Sequence, residues 1–346
     1  MYFLLNYFMN IILWEVTMKS KFSILFLIIL ISLIGCTSKE NNTIPTSITI
    51  SESVPSFYTG ENVEESINSN IPFMVMIENS TFARPQSGLS DADVIYETSA
   101  EGGIPRFMAL FHKNNPDTIG PVRSVRPYFL ELALENDLPF AHCGGSSEAL
   151  TDISNNKSIM SINEISNGEY FWRDNKRESP HNLYTSSKNI LDSITNKNFL
   201  SIPITFSEFN KDYYSSKTLN SASNLMLTLN ENYNTSYTYE NNVYKKSMDD
   251  KISLDANTNE QLSFSNVVIQ KTTISIQDDD IHLNIDLIGE GQGYIFSNGR
   301  YVNVIWKKLS ESDKTKFYDI NGDIVPLSPG KTIWHIVNND TDISFN

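Results

Sequence analysis

Pairs of residues that favour tight turns divide the last third of the chain into short apolar runs. Asn298-Gly299 and Asn321-Gly322 each stand between two strand-like runs, and Asn241-Asn242 marks a third turn of this kind. Both central residues of the tightest hairpin turns need positive φ, which asparagine and glycine tolerate best. From residue 224 onward the runs alternate and no convincing helix is found. Residues 224–346 are therefore expected to form a mostly antiparallel β domain.

A different pattern occupies residues 71–204. Four apolar, strand-like runs alternate with three helical stretches, the runs at 73–77, 94–96, 107–111 and 140–142 and the helices at 127–134, 146–153 and 186–194. Pro127 suits a first helical turn, and Ser146 and Ser186 can cap free amides. This predicts a mixed α/β domain, a linker at 205–223 and an α+β fold for the whole chain.

Residues 1–35 have the order of a secretory signal. Lys19 and Lys21 precede an apolar run at 22–34, and Gly35-Cys36 follows it. The run is shorter than the roughly 20 apolar residues of a comfortable membrane span. The sequence LIGC at 33–36 resembles a lipobox, in which the cysteine receives diacylglycerol and a palmitate-type acyl chain. We predict cleavage before Cys36 and lipid anchoring at the extracytoplasmic face of the cell membrane.

An uncleaved anchor with an incidental cysteine is the alternative, and the mass of the mature N-terminus distinguishes the two. Residues 1–17 carry no basic residue, which favours Met18 as the true start. Residues 36–70 are rich in Ser, Thr, Asn and Glu without sustained periodicity. They are expected to form a flexible tether, with order beginning at Ile71.

Charge and cysteine content narrow the function classes. Removing residues 1–35, which carry two lysines and one glutamate, changes the formal charge from −15 to −16. So acidic a chain argues against nucleic acid and against anionic headgroups as partners. Cys36 and Cys143 are the two cysteines, so lipidation of the first excludes an intramolecular disulfide.

Arginine is the most unevenly distributed residue. Of seven arginines, six fall between positions 84 and 177, namely Arg84, Arg106, Arg123, Arg126, Arg173 and Arg177. A guanidinium binds carboxylate or phosphate through paired hydrogen bonds, so converging loops would form an anion site. Carboxylates of the same stretch could instead pair with the arginines as structural struts. The sequence leaves both possibilities open.

Other polar residues are weaker candidates. Ser146 and His181 stand in polar loops and could line the same anion site, although Ser146 also suits a helix cap. Glu97, Glu101 and His142 are possible general bases. No nucleophile motif surrounds Ser146 or Cys143, and His112, His142 and His181 lack metal-ligand spacing. We therefore expect neither a metal nor a cofactor.

Several of these stretches resemble the YerB-like lipoproteins, a bacterial family built from two domains of unknown function (domain of unknown function 3048). The matching first-domain stretches are ARPQSGL (83–89), ADVIYE (92–97), AEGG (100–103), IGPVRSVRPY (119–128), HCGGS (142–146) and PHNLY (180–184). Weaker matches are NVV (266–268), GQG (291–293) and WKK (306–308). The resemblance implies a membrane lipoprotein with an α/β first domain, and it supplies no catalytic residues. Cys143 departs from the family pattern, which weakens any thiol mechanism.

The leading hypothesis, favoured over an enzyme, is a membrane-anchored binding or scaffolding protein that recognises an anionic envelope ligand through its first domain. One rival is an envelope hydrolase or transferase that uses a carboxylate or histidine base. Another is an interaction lipoprotein that presents surfaces to an envelope protein and has no small-molecule site.

Overall fold

Strands make up most of the regular structure in the computed structural model, which describes residues 53–279 and 281–346. In chain order they are β1 (Ser53–Pro55), β2 (Asn62–Glu64), β3 (Phe73–Glu78), β4 (Val94–Ser99), β5 (Pro105–Phe111), β6 (Phe140–His142), β7 (Ser161–Asn163), β8 (Trp172–Arg173), β9 (Leu183–Tyr184), β10 (Asn224–Asn230), β11 (Tyr233–Glu240), β12 (Val243–Met248), β13 (Lys251–Ile252), β14 (Ser263–Phe264), β15 (Asn266–Thr272), β16 (Ile274–Ile276), β17 (Leu283–Ile285), β18 (Gly289–Ser297), β19 (Arg300–Lys308), β20 (Lys316–Tyr318), β21 (Thr332–Asn338) and β22 (Asp342–Phe345).

Five helices accompany these strands among the described residues: α1 (Glu65–Asn68), α2 (Pro127–Asn136), α3 (Ser147–Asn155), α4 (Ser187–Lys197) and α5 (Tyr213–Ser216). Pro127 opens α2, where its missing amide costs nothing. The Ser146 side chain accepts a hydrogen bond from the Ala149 amide, and Ser186 does the same for Asn189. The three helices predicted from the sequence are confirmed, together with the α+β class.

A ten-stranded mixed sheet forms the centre of the molecule, in the order β20-β19-β18-β15-β21-β4-β5-β3-β6-β7. β3 lies inside this sheet and is buried along its whole length. A strand covered on both faces needs apolar residues at nearly every position, which explains the unbroken run at 73–77. Alternate residues of β3 therefore enter two different cores.

One core contains Met74 and Met76 and is closed by α2, through Phe129 and its neighbours. The other contains Val75 and Ile77 and is closed by α4 and by a second, six-stranded sheet. That second sheet has the order β13-β12-β11-β10-β22, with β14 on β12. The molecule is thus layered, with the large sheet in the middle.

The predicted turns occur largely as expected. Asn241-Asn242 joins β11 to β12, and Asn298-Gly299 joins β18 to β19, with positive φ at all four residues. The turn at Asn321-Gly322 is tight but closes only a single bridge, between Tyr318 and Ile324. Its two flanking runs do not form a full hairpin because the second run leaves the sheet.

The flexible tether predicted for residues 36–70 extends too far towards the carboxyl terminus. β1, β2 and α1 lie within residues 53–70, and Tyr58 is fully buried in the core beside α2. The Phe57 carbonyl accepts a hydrogen bond from the Phe206 amide. Two adjacent aromatic side chains in a polar segment were the signal that these residues pack. Cys36 and the signal segment lie outside the described residues.

Both sequence regions contribute to the large sheet. β4 from the first region pairs in parallel with β21 from the second, so each core contains residues from both sides of the boundary predicted at 205–223. In the part of the chain that the structure describes, no helix is long and apolar enough to span a membrane.

Candidate anion-binding site

The arginine-bearing loops meet at one end of the strands of the large sheet. β3, β6 and β7 run parallel and end at Glu78, His142 and Asn163. Loops that leave the carboxyl ends of parallel strands emerge at the same end of the sheet. Ligand crevices of open α/β sheets form there. The loops after β3 and β6 contain two of the motif stretches named above.

Glu78 is the last residue of β3, and its side chain is buried, with only 3% of the residue exposed. Its Oε1 atom accepts hydrogen bonds from the Ser80 hydroxyl at 2.7 Å and from His181 Nδ1 at 2.8 Å. Its Oε2 atom is buried and has no hydrogen-bond partner among the described residues. A buried carboxylate oxygen without a hydrogen bond costs free energy, so the charge of the nearest cation matters for Glu78.

Arg123 approaches that oxygen without completing the contact. Its Nε lies 3.6 Å from Glu78 Oε2, and Nε itself is buried without a hydrogen-bond partner in the described chain. The backbone is held firmly, because the Arg123 amide donates to the Met76 carbonyl and the Arg123 carbonyl accepts from the Cys143 amide. The guanidinium is therefore placed by its backbone, and the side chain is 29% exposed.

Arg173 lies on the β8–β9 hairpin and is about half exposed. One terminal nitrogen donates to Asn182 Oδ1 at 3.0 Å, while Nη2 is 3.8 Å from Glu164 Oε1. Arg123 and Arg173 both act electrostatically on the thiol of Cys143. Both guanidiniums therefore lie near Cys143, which directly follows β6.

Cys143 itself is not activated. Burial, together with the hydrogen bond to Glu164 and the charge of that carboxylate, raises the pKa of its thiol to about 11. The attraction of the two arginines lowers the pKa but does not offset burial. A thiol of this pKa is protonated at neutral pH and is a poor nucleophile.

The other four predicted arginines have structural contacts. Arg84 pairs with Asp249 and donates to the Asn79 carbonyl at 2.9 Å. Arg177 donates to the Ala83 and Pro85 carbonyls. These two arginines fix the loop that follows β3 from both sides.

Arg106 and Arg126 share Glu101 as a partner. Arg106 Nη2 lies 2.9 Å from Glu101 Oε2, and Arg126 contacts both oxygens of the same carboxylate. Burial would raise the pKa of Glu101, but the hydrogen bond from Arg126 and the charges of both arginines lower it overall. A carboxylate held between two guanidiniums is a weak base, so its role here is to join the β4–β5 connection to β5 and to the loop before α2.

Two further candidates from the sequence, His142 and Ser146, already have hydrogen-bond partners within the protein. His142 is fully buried, with Nδ1 at 2.8 Å from the Gly144 carbonyl and Nε2 at 2.7 Å from the Ser161 hydroxyl, and burial lowers its pKa to about 4. Ser146 caps α3. Among the described residues, no three His, Cys, Asp or Glu side chains are arranged to hold a metal ion.

Glu97 belongs to a buried network between the two sheets that was not predicted from the sequence. Lys246 Nζ donates to Glu97 Oε2 at 2.9 Å, to Thr235 Oγ1 at 2.6 Å and to the Tyr237 hydroxyl at 3.2 Å. The Tyr237 hydroxyl lies 2.7 Å from His335 Nε2. Burial lowers the pKa of Lys246 and of His335. The available signal was a lysine at an inward position of the alternating strand β12.

A cleft of about 260 Å³ opens beside this network, lined by Asn79, Arg84, Lys246 and Asp249 among others. Asn79 donates to Glu97 and accepts from Arg84 and Gln86. These charged and amide groups that line the cleft are thus paired with one another. Glu78 and Arg123, with their unpartnered atoms, do not line this cleft.

Two family descriptions match most of the described chain. The N-terminal domain of the family named "protein of unknown function (DUF3048)" matches residues 58–200, and its C-terminal domain matches residues 225–334. The chain belongs to the DUF3048 family. The two DUF3048 regions coincide with the two parts of the chain that share the large sheet.

One DUF3048 relative is similar in both sequence and structure. The Bacillus subtilis (strain 168) protein named "Putative lipoprotein YerB" is 32% identical over 282 residues, which cover 79% of this chain and 80% of the relative. The crystal structure of Bacillus subtilis YerB matches with a TM-score of 0.76 and 30% identity, over 84% of this chain and 99% of the solved one. The YerB-like family predicted from the motifs is confirmed.

Proposed function

We propose that this DUF3048 protein is a lipid-anchored binding protein of the outer face of the cell membrane, and that it holds an anionic envelope ligand between Arg123 and Arg173. The lipid is attached to Cys36. Support for the anchor comes from the residues around Cys36 and from the name of the Bacillus subtilis relative. Binding needs no metal or cofactor, because guanidinium groups alone supply the positive charge.

The observation that carries this proposal is the incomplete pair of Glu78 and Arg123. Both are held by other parts of the chain, yet Glu78 Oε2 and Arg123 Nε stay 3.6 Å apart without hydrogen bonds. A structural ion pair gains most from close, well-aligned contacts, as Arg126 achieves with Glu101. A carboxylate or phosphate could accept from the exposed parts of the Arg123 and Arg173 guanidiniums.

The proposal is tested by titrating purified full-length protein in detergent with inorganic phosphate and with acetate. We expect Arg123→Gln and Arg173→Gln each to weaken binding about tenfold or more, since one charge-assisted hydrogen bond contributes about 1.5–3 kcal/mol. Arg300→Gln is the matched control, because Arg300 lies on β19, distant in the sheet from β3, and donates to the Leu219 carbonyl.

Thermal unfolding separates binding from structure. Arg123→Gln should lower the melting temperature less than Arg126→Gln, because Arg123 has only a 3.6 Å contact with Glu78 whereas Arg126 donates hydrogen bonds to Glu101. If Arg123→Gln unfolds as readily as Arg126→Gln, or if neither anion binds the wild-type protein, the proposal is wrong. An exposed surface for an envelope protein would then be the better account.

A further inference from the structure

Two stacked ring pairs lie beside Glu78. Phe82 packs on His181 with ring centroids 5.5 Å apart, and Trp172 packs on Tyr184 with centroids 6.4 Å apart. In each pair the outer ring is open to solvent, since Phe82 is 76% exposed and Trp172 is 38% exposed. Exposed aromatic rings beside a polar site are typical of ligand contacts.

Both ring pairs are tied to the candidate anion site. His181 Nδ1 contacts Glu78 Oε1 directly, so Phe82 lies one residue away from that carboxylate. Burial raises the pKa of Tyr184, and the charges of Arg177 and Glu78 also act on its hydroxyl. Trp172 pairs with Tyr184 across β8 and β9. One ring pair is therefore joined to Glu78 by a hydrogen bond, and the other lies within reach of its charge.

The exposure of Phe82 does not come from a loose loop. Arg177 donates to the carbonyls of Ala83 and Pro85, and Arg84 donates to the Asn79 carbonyl. The Phe82 ring is thus presented by a loop that two arginines hold in place. An apolar ring kept in solvent by a fixed loop gains free energy when a flat apolar surface covers it.

We propose that the ligand is an anionic saccharide, a sugar ring that carries a carboxylate or a phosphate. This inference rests on the proposed anion site and names the class of its ligand. One face of a sugar ring carries C–H groups that stack on an aromatic ring, and Phe82 offers such a ring beside His181. The hydroxyls at the sugar edge suit His181 Nε2, and the acid group suits the exposed parts of Arg123 and Arg173.

Other ligand classes use only part of this surface. A simple anion has nothing to place against Phe82, and an apolar peptide segment has no acid group for Arg123 and Arg173. His181 Nε2 makes no hydrogen bond within the described part of the chain and can bind a further hydroxyl. A sugar with an acid group satisfies Phe82, His181 and the guanidiniums together.

The test compares a complete ligand with its two halves. N-acetylmuramic acid is an N-acetylglucosamine ring joined to lactate, so all three are titrated into full-length protein in detergent. N-acetylglucosamine 6-phosphate, with inorganic phosphate as its half, forms a second set that distinguishes a phosphate from a carboxylate. We expect one of the two complete ligands to bind at least tenfold more tightly than either of its halves.

Two variants test the rings. Phe82→Ala should remove most of the advantage of the complete ligand over its acid half, and Trp172→Phe should preserve much of it by keeping a ring. Ile320→Ala is the matched control, because Ile320 is 95% exposed in the turn after β20, at the opposite edge of the sheet. Phe82→Ala should melt at the wild-type temperature.

The outcomes separate this inference from the proposed function. If lactate or phosphate binds as tightly as its complete ligand and Phe82→Ala changes nothing, the site takes anions but the saccharide inference is wrong. If neither complete ligand nor either acid half binds, the anion site fails and the saccharide inference fails with it. Tight binding of N-acetylglucosamine alone would also overturn an anionic ligand.

Discussion

At the residue scale, the six clustered arginines divide into two kinds. Arg84, Arg106, Arg126 and Arg177 have carboxylate or carbonyl partners within hydrogen-bonding distance. Arg123 and Arg173 keep part of their guanidinium open. We propose that the two alternatives that the sequence leaves open, struts or ligand contacts, apply to different residues. Residue type alone could not separate them, because each partner comes from a distant loop.

His142 gives a prediction about pH. Burial lowers its pKa in the folded protein to about 4, against about 6.5 in an unfolded chain. Between these values the unfolded state binds the extra proton, so the contribution of His142 to stability is present at neutral pH and is lost as pH falls from about 6.5 to 4. A shift of this size corresponds to about 3 kcal/mol.

His142→Gln isolates that contribution from other titrating groups, such as Asp93, whose pKa is raised by burial to about 6. We expect the variant to be less stable than wild type at pH 7, with the difference in free energy of unfolding shrinking towards pH 4. Urea unfolding across this range measures it. A difference that stays constant with pH would contradict the buried neutral state of His142.

At the scale of single elements, helix capping explains two serines that lie in polar loops. Ser146 and Ser186 each accept a hydrogen bond from the amide three residues later, at the first turn of α3 and α4. Replacing such a cap with alanine costs about 1 kcal/mol. We therefore expect Ser146→Ala and Ser186→Ala to lower stability by similar amounts, as measured by urea unfolding.

Ser146 was also a candidate ligand residue, and the same pair of variants tests this role. If Ser146 only caps α3, phosphate titration of Ser146→Ala should match wild type, as should that of Ser186→Ala. A loss of phosphate binding confined to Ser146→Ala, without a loss of stability, would assign the serine to the ligand.

Local elements were predictable because their signals are local. The turns at Asn241-Asn242 and Asn298-Gly299 need positive φ, and the caps need a serine at one position. The pairing of Glu97 with Lys246 joins residues 149 positions apart. No periodicity in either segment specifies the other, so this network became visible only once the two sheets were packed together.

At the scale of the whole molecule, the two DUF3048 regions share one sheet and two cores. β21 comes from the end of the chain and lies between β15 and β4, so the large sheet needs both regions to be present. The sequence predicted the element types of each region but not this arrangement, since composition changes along the chain and says nothing about strand order. The candidate site lies at the carboxyl ends of β3, β6 and β7 in that sheet.

The most direct test of the account is a high-resolution crystal structure of the protein grown with saturating inorganic phosphate. The account predicts one phosphate within hydrogen-bonding distance of both Arg123 and Arg173, with Arg84, Arg106, Arg126 and Arg177 still on their protein partners. An unoccupied Arg123 and Arg173 at saturating phosphate, or a phosphate bound at the other arginines instead, would contradict it.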